Sequence, residues 1–302
     1  MDWTRRLSLR HFDTLVRIAD AGNLTRAASA MGISQPALSK WLRQLEADTG
    51  VPLFHRQPRG VTPTEYGAAF IARARLVLNE MARTGTLLAD MASGGTGMLA
   101  IGATPVALTD LLPEAIHRFQ QRRPRVRIQV VDGSLDTLLP ALESGQLDFV
   151  LSRLDRAGGE HVAQEVLYEE NIALVAGPDH PLAGRPRVTW AQALAYPWVG
   201  PPAHSPLRAE LDQELALAGQ PHPQMRVETA STVLVVSLLQ RGQMLAVISR
   251  RPALHFAAIG SLSILDLPIQ RKSQVGLIWR RERQTEPLLD TMREVLREVA
   301  SE

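Results

Sequence analysis

The chain has 302 residues, 45% of them apolar and 21% charged, so it is too long for one ordinary core and predicts two or three globular domains. Cysteine is absent, which excludes disulfides, thiolate metal sites and thiol catalysis and fits a cytoplasmic protein. The net charge of +2 hides an asymmetry: residues 1–92 carry 12 Arg/Lys against 8 Asp/Glu, a net +4, and the remainder is slightly acidic, which predicts a nucleic-acid footprint at the N-terminal end. No apolar run reaches the length of a bilayer span, and the opening MDWTRRLSLR lacks the apolar segment of a secretory signal, so no membrane partner is expected.

A first helix is predicted over Leu9 to Ala21, with Phe12, Leu15, Val16 and Ala19 facing inward. The stretch NLTRAASAMGISQPALSKWLRQLE then reads as two short helices joined by a forced turn. Ala27 and Ala28 leave room for a close helix–helix approach, and Gly32 suits the positive φ of a helix exit. Ile33 is expected to plug the corner, Ser34 to cap the next helix, and Pro36 to occupy its first turn. Leu38, Trp41, Leu42 and Leu45 recur at helical spacing and predict the buried face. Gln35, Ser39, Lys40 and Arg43 fall on the other face, with Gln44 at its edge. A helix-turn-helix presents such polar groups to the major groove, where Gln pairs with adenine, Lys or Arg with guanine, and Ser with phosphate or base. A hairpin within a larger helical bundle would also fit, but it does not require a basic outer face together with a Gly turn and a Ser-x-Pro start.

Gly50 should end this helix, and VPLFHRQPRGVT reads as two short extended segments around a turn, a wing with Arg56 and Arg59 near its tip. Arginines so placed either reach phosphates or a narrow minor groove, or are simply solvated. From TPTE a long helix is predicted to about residue 93. Phe70, Ala74, Val77, Met81, Thr84, Leu88 and Met91 follow steps of four and three, a heptad seam that wants a partner helix, taken to be a second copy of the chain; packing on its own C-terminal body is the alternative. Residues 93–97 (SGGTG) form a hinge and not a phosphate loop, since no preceding strand or following Lys-Ser/Thr pair accompanies them.

Beyond residue 97 short apolar strands alternate with amphipathic helices: LAIGAT, VRIQVVD and LDFVLSR separated by helices at 108–121 and 135–143. That is a βαβαβ run with a parallel sheet. NIALVAG, PWVG, MRVET and MLAVIS follow, with helices near 206–218 and 232–240, and QVGLIWR and a helix near 286–299 close the chain. Ligands of open α/β sheets bind beyond strand C-termini, beside helix N-termini. Thr104-Pro105, Gly133-Ser134 and Thr229 to Thr232 stand at such ends, and Gly200-Pro201-Pro202 forms a rigid loop before Ser205. Hydroxyls at helix N-termini suit a carboxylate or a polyol, although Ser134, Ser205 and Ser231 taken singly would each serve as a helix cap. No metal-binding His pair and no G-x-S-x-G elbow occurs, and Asp179-His180-Pro181 reads as a turn with a solvated His180. No enzyme and no resident cofactor or metal is therefore expected. At 5% aromatic content the chain also lacks the stacking surface of an RNA binder.

The segments LRHFDTLVRIADAGNLTRAASAMGISQPALSKWLRQLEADTGVPLFHR and TPTEYG, followed by IGATPVALTDLLPEAIHRF, LESGQLDFVLSR, GPDHPLAG and ETASTVLVVSLLQRGQMLAVISR, make the chain similar to the LysR-type transcriptional regulators over essentially its whole length. That resemblance implies a winged helix-turn-helix (1–62), a linker and dimerisation helix (63–93), and an effector-binding domain (94–302). This last domain should be a two-lobed α/β fold like the periplasmic binding proteins, lobe I at about 98–167 and 272–302, lobe II at about 168–271. By position, Ser34, Gln35, Pro36, Ser39, Lys40, Arg43, Arg56 and Arg59 would face double-stranded promoter DNA. Thr104, Val106, Ser134, Pro201, Pro202, Thr229 and Ser231 would face a small-molecule inducer, with Val106 standing where aromatic-acid binders often carry a hydroxyl. Phe70, Ala74, Val77, Met81 and Leu88 would pair two copies. The resemblance further implies a homodimer assembling to a homotetramer, admits RNA polymerase as a partner, and leans toward the branch responsive to sugars or aromatic-pathway acids. The rival from another class is a solute-binding protein or enzyme whose helical N-terminus only oligomerises.

Overall fold

The computed structural model describes residues 3–58, 60–92, 94–154, 161–283 and 286–302. The chain divides into two compact units, one up to Gly94 and one from Gly95 on, with residues 143–146 grouped with the first.

In the first unit α1 spans Leu9–Ala21, opened by a capping box between Ser8 and His11 and closed by Gly22 at φ 61°. α2 (Leu24–Ala30) starts where the Asn23 side chain accepts the N–H groups of Thr25 and Arg26. α3 (Gln35–Thr49) starts on Ser34, whose hydroxyl accepts the Ala37 N–H, and stops at Gly50 in the left-handed region. Gly32 takes φ 67° as the turn requires. Ile33 does not plug the corner: its side chain is exposed, and the turn is closed through the backbone, where the Ile33 N–H donates to the Ala28 carbonyl at 3.0 Å. Leu15, Ile18, Ala27, Ala28, Leu38, Leu42 and Leu45 form one core, and Trp41 lies at its edge against the His11 ring.

β1 (Phe54–Gln57) and β2 (Gly60–Pro63) pair antiparallel, Gln57 opposite Gly60. The wing is tied down at its base, where Glu46 Oε1 accepts the Leu53 and Phe54 N–H groups and Val61 N–H donates to Gly22 O at 2.9 Å. Gly60 is required there, since a Cβ would stand 2.2 Å from the Gly22 oxygen. α4 (Glu65–Ala92) begins where the Thr64 hydroxyl accepts the Gly67 N–H and donates to Pro52 O. Its first turns belong to the unit's own core: Ile71 and Ala74 are buried, and the Phe70 ring meets Phe12 and Trp3 edge-on. The seam predicted from Phe70 to Met91 is thus divided. Phe70 and Ala74 are already covered within one chain, because α4 packs along α1, whereas Val77, Met81, Thr84, Leu88 and Met91 remain exposed. Thr84, the polar intrusion, returns its hydroxyl to the Glu80 carbonyl.

The second unit contains β3 (Met98–Ala103), α5 (Pro105–Leu108), α6 (Leu111–Arg122), β4 (Arg127–Asp132), α7 (Leu135–Glu143), β5 (Phe149–Arg153) and β6 (Val162–Glu170). These continue into β7 (Ile172–Ala176), α8 (Trp190–Leu194), β8 (Trp198–Gly200), α9 (Pro206–Leu217), β9 (Met225–Glu228), α10 (Thr232–Leu239) and β10 (Leu245–Ser249). The chain ends with α11 (Arg250–Ala258), β11 (Ser263–Ile264), β12 (Ser273–Arg280) and α12 (Pro287–Ser301). Two five-stranded sheets result, in orders β4-β3-β5-β12-β6 and β11-β7-β10-β8-β9. Each has a helix-packed core on both faces, one set around Phe119, Phe149 and Met292, the other around Trp198, Leu211 and Leu245.

The sheets are mixed and not parallel throughout. β3 runs parallel with β4 and β5, but β12 is antiparallel to β5 and β6, and β7 is antiparallel to β10. β6 is a half-exposed edge strand whose polar alternation hid it in the sequence, and it carries the first sheet to Glu170. The first crossing between sheets therefore falls at Asn171, three residues beyond the expected 168, and the second lies between β11 and β12. His180 is buried and not solvated: its ring packs tilted against Tyr196 with centroids 4.5 Å apart, Nδ1 accepts the Leu182 N–H, and desolvation lowers its pKa.

Candidate functional site

The first unit offers a polar helix face. Leu38, Leu42 and Leu45 turn inward, and that orientation leaves Gln35, Pro36, Lys40 and Arg43 exposed, with Ser34 exposed at the cap. Gln44 is also exposed, but its amide donates to Asp48 within the helix. Ser39 departs from the expectation. It is 8% exposed, because it lies one step from Leu38 and three from Leu42, on the rim of the buried stripe. Ser39 is therefore a packing position in the isolated chain rather than part of the open row. Arg56 is exposed on β1, and Arg59 lies outside the described residues. Lys40 presents a compact charge with three rotatable donors, whereas Arg43 presents a planar fork, so the two can address different acceptors on one duplex.

The second unit contains a cavity of about 170 Å³ between its two sheets. Its lining brings together Thr104 and Val106 from the end of β3, Ser134 from the end of β4, Pro201 and Pro202 after β8, and Thr229 before α10. These positions lie far apart in the chain and meet because parallel β3, β4, β8 and β9 all point their C-terminal ends into one crevice. Ser231 is not in the lining. Its hydroxyl accepts the Leu234 N–H and caps α10, while the neighbouring Thr232 reaches the cavity instead. Val106 is buried and carries no polar group, so no side-chain hydrogen bond to a ligand can arise there. The walls are otherwise apolar, from Leu135, Leu139, Val199, Val235, Val247 and Ile248. At the mouth His204 and Asp136 stand 3.9 Å apart, both largely exposed.

The cavity floor holds residues that no motif marks. Ser152, Arg153 and Ser249 line it, at the C-terminal ends of LDFVLSR and MLAVIS, and the only sequence signal for them is the same strand-end position that marks Thr104 and Ser134. Arg153 is 3% exposed, and its guanidinium donates to the hydroxyls of Ser273 at 2.6 Å and Ser249 at 2.7 Å. Carboxylates of Glu210 and Glu170 flank it at 3.1 and 3.5 Å. Burial pushes the Glu170 carboxyl above the ordinary carboxylate range, against the pull of Arg153 and of the Arg251 N–H. A small molecule in this cavity would meet hydroxyls, helix N-termini and apolar walls. No metal site accompanies them: among the described residues no group of three or more His, Asp or Glu could hold an ion.

Residues 9–68 match the family model described as bacterial regulatory helix-turn-helix protein, lysR family, and residues 92–301 match that described as LysR substrate binding domain. The chain is 31% identical to the HTH-type transcriptional regulator GbpR of Azospirillum brasilense over 288 residues, 93% of this chain and 83% of the relative. It is likewise 31% identical to the HTH-type transcriptional regulator GalR of Pseudomonas putida over 295 residues, 97% of this chain and 74% of the relative. Full-length CbnR in complex with its target DNA has the same fold, with a TM-score of 0.64 at 21% identity, covering 97% of this chain and all of that one.

Proposed function

The chain belongs to the LysR family, as a DNA-binding transcriptional regulator with an effector-binding domain, and on that premise we propose that it reads a promoter through α3 and its wing under control of a small polar metabolite bound between the two sheets. Its family and its relatives are regulators and not enzymes, and the matched helix-turn-helix model disfavours the rival reading of a helical module that only oligomerises. Gln35, Pro36, Lys40 and Arg43 contact base edges and phosphates, Ser34 sets the helix start against the backbone, and Arg56 and Arg59 follow the duplex from the wing. Residues 1–62 act as the DNA-binding domain, 63–93 as the dimerisation helix and 94–302 as the effector-binding domain. Val77, Met81 and Leu88 on α4 pair two copies, and dimers assemble to tetramers that hold two sites at a promoter and can engage RNA polymerase in the cytoplasm. Among the described residues no helix is long and apolar enough to cross a membrane.

The effector, a carboxylate or a sugar, is held by Thr104, Ser134 and Thr229 near the rigid Pro201-Pro202 loop. Two crossings of the chain between the sheets make a hinge, and a ligand that prefers one hinge angle shifts the population toward it. That shift changes the spacing or bend imposed on the two DNA sites. The observation that carries this reading is the split face of α3, with Leu38, Leu42 and Leu45 inside and Gln35, Lys40 and Arg43 outside.

A gel shift and footprint on the DNA upstream of the gene, with heparin as competitor, tests the first half. A protected segment containing two half-sites about one helical turn apart is expected. A thermal-shift screen of metabolites on the full chain tests the second, since a ligand at 100 times its Kd raises stability by about 2.7 kcal/mol. A hit that leaves footprint and bend angle untouched would remove the proposed coupling.

A further inference from the structure

A cluster of buried charges in the second unit lies where the chain crosses between its sheets. Arg153 ends β5, Glu170 ends β6 immediately before the first crossing, and Ser273 opens β12 immediately after the second. Across the hinge, Glu210 on α9 and Ser249 at the end of β10 come from the other sheet's lobe. The Arg153 guanidinium joins all four, through Ser273 and Glu170 on its own side and Ser249 and Glu210 on the far side. A second arginine crosses the opposite way. Arg251 on α11 lies 4.2 Å over the Tyr168 ring, pairs with Asp110 at 3.4 Å, reaches Ala300 O at 3.3 Å, and donates its backbone N–H to Glu170 Oε2.

Two carboxylates share one guanidinium in this cluster, and the Arg153 and Glu170 side chains are each only 4% exposed. Water has little access to these contacts, so a contact broken by opening the hinge is not made good by solvent. Arg153 also lines the cavity floor while its donors are taken up by protein acceptors.

We propose that Arg153 is a hinge latch, a positioning residue that sets the width of the interlobe cleft by binding carboxylates and hydroxyls of both lobes, and that does not itself bind the effector. Removing it cuts the contacts that tie β5 to Ser249 and Glu210 on the far lobe and opens the cleft. The latch presupposes that the cleft takes a ligand, as proposed above, but acts whether or not one is bound.

The cysteine-free chain allows a direct test. Asp136→Cys and His204→Cys place one thiol on each side of the mouth, and the rate of trapping by a short bismaleimide in the full-length protein reports the width. In that background Arg153→Met should slow intrachain trapping by about fivefold or more, the scale of a coupling near 1 kcal/mol, and Arg153→Lys should recover most of the rate. Since Arg153→Met could simply unfold the lobes, the neutral triple variant Arg153→Met/Glu170→Gln/Glu210→Gln separates the two causes. It should restore the melting temperature without restoring the trapping rate. A trapping rate that returns with stability, or an Arg153→Met rate within twofold of the parent, would overturn the latch. Because the assay contains no effector, either result leaves effector binding to be judged by the thermal-shift screen.

Discussion

At the scale of single residues, the chemistry of each position follows from whether its neighbours leave it open. Gln35 is exposed at the start of α3, so Gln35→Ala should cost about 1–3 kcal/mol on a specific operator and little on random DNA. Arg56→Ala should instead weaken both alike and reduce the salt slope by about one. Binding isotherms on both DNAs across a salt series distinguish them, and equal losses for Gln35→Ala would take it out of base readout. Two glycines give an opposite pair. At Gly60 a Cβ would collide with the Gly22 carbonyl, so Gly60→Ala should destabilise the first unit by more than about 1 kcal/mol. Gly85 lies mid-helix with nothing within 4 Å, so Gly85→Ala should stabilise it by up to about 1 kcal/mol. Urea titrations that ranked the two the other way would show the wing does not dock on the α1–α2 turn. Glu170 makes a pH prediction. Folding raises its carboxyl pKa, so the native state binds more protons than the unfolded chain above the ordinary carboxylate value of about 4.3. Stability contributed by this group is therefore full below that value and is lost as pH rises to the raised pKa. Glu170→Gln should remove this downward slope, read as the difference between melting curves of variant and parent from pH 4 to 7; parallel curves would refute it.

At the scale of elements, α4 was the most legible and the most misleading. Its heptad steps were plain, but a sequence period cannot say which copy covers which turn. Phe70, Ile71 and Ala74 are covered by α1 of the same chain, and Val77, Met81, Leu88 and Met91 are left exposed. Leu88→Asp should thus dissociate the proposed dimer, seen by sedimentation velocity, with little change in the stability of the first unit, whereas Phe70→Ala should cost about 3 kcal/mol or more of that stability and leave association intact. An oligomer unaffected by Leu88→Asp would move the interface elsewhere. The helix-turn-helix was readable because caps and turn glycines are local signals, and Ser34, Gly32 and Gly50 act where they stand. β6 was not readable, because an edge strand with one wet face has no continuous apolar run. Its partner β12 arrives more than a hundred residues later and runs antiparallel, which no window of sequence contains.

At the scale of the whole molecule, local pattern established most of the order of the elements, β6 excepted, together with the polar row of α3 and several of the strand ends from which the cavity is built. Thr104, Ser134 and Thr229 could be named from sequence because hydroxyls at strand C-termini obey a rule of topology that needs no coordinates. What only the tertiary structure decided is which of those ends meet, and that Arg153, Glu170 and Glu210 are drawn together beneath them. Periodicity and capping act over a few residues and are written in the chain. Burial of a charge depends on what the rest of the chain packs around it, and a solvated arginine and a latched one have the same letter.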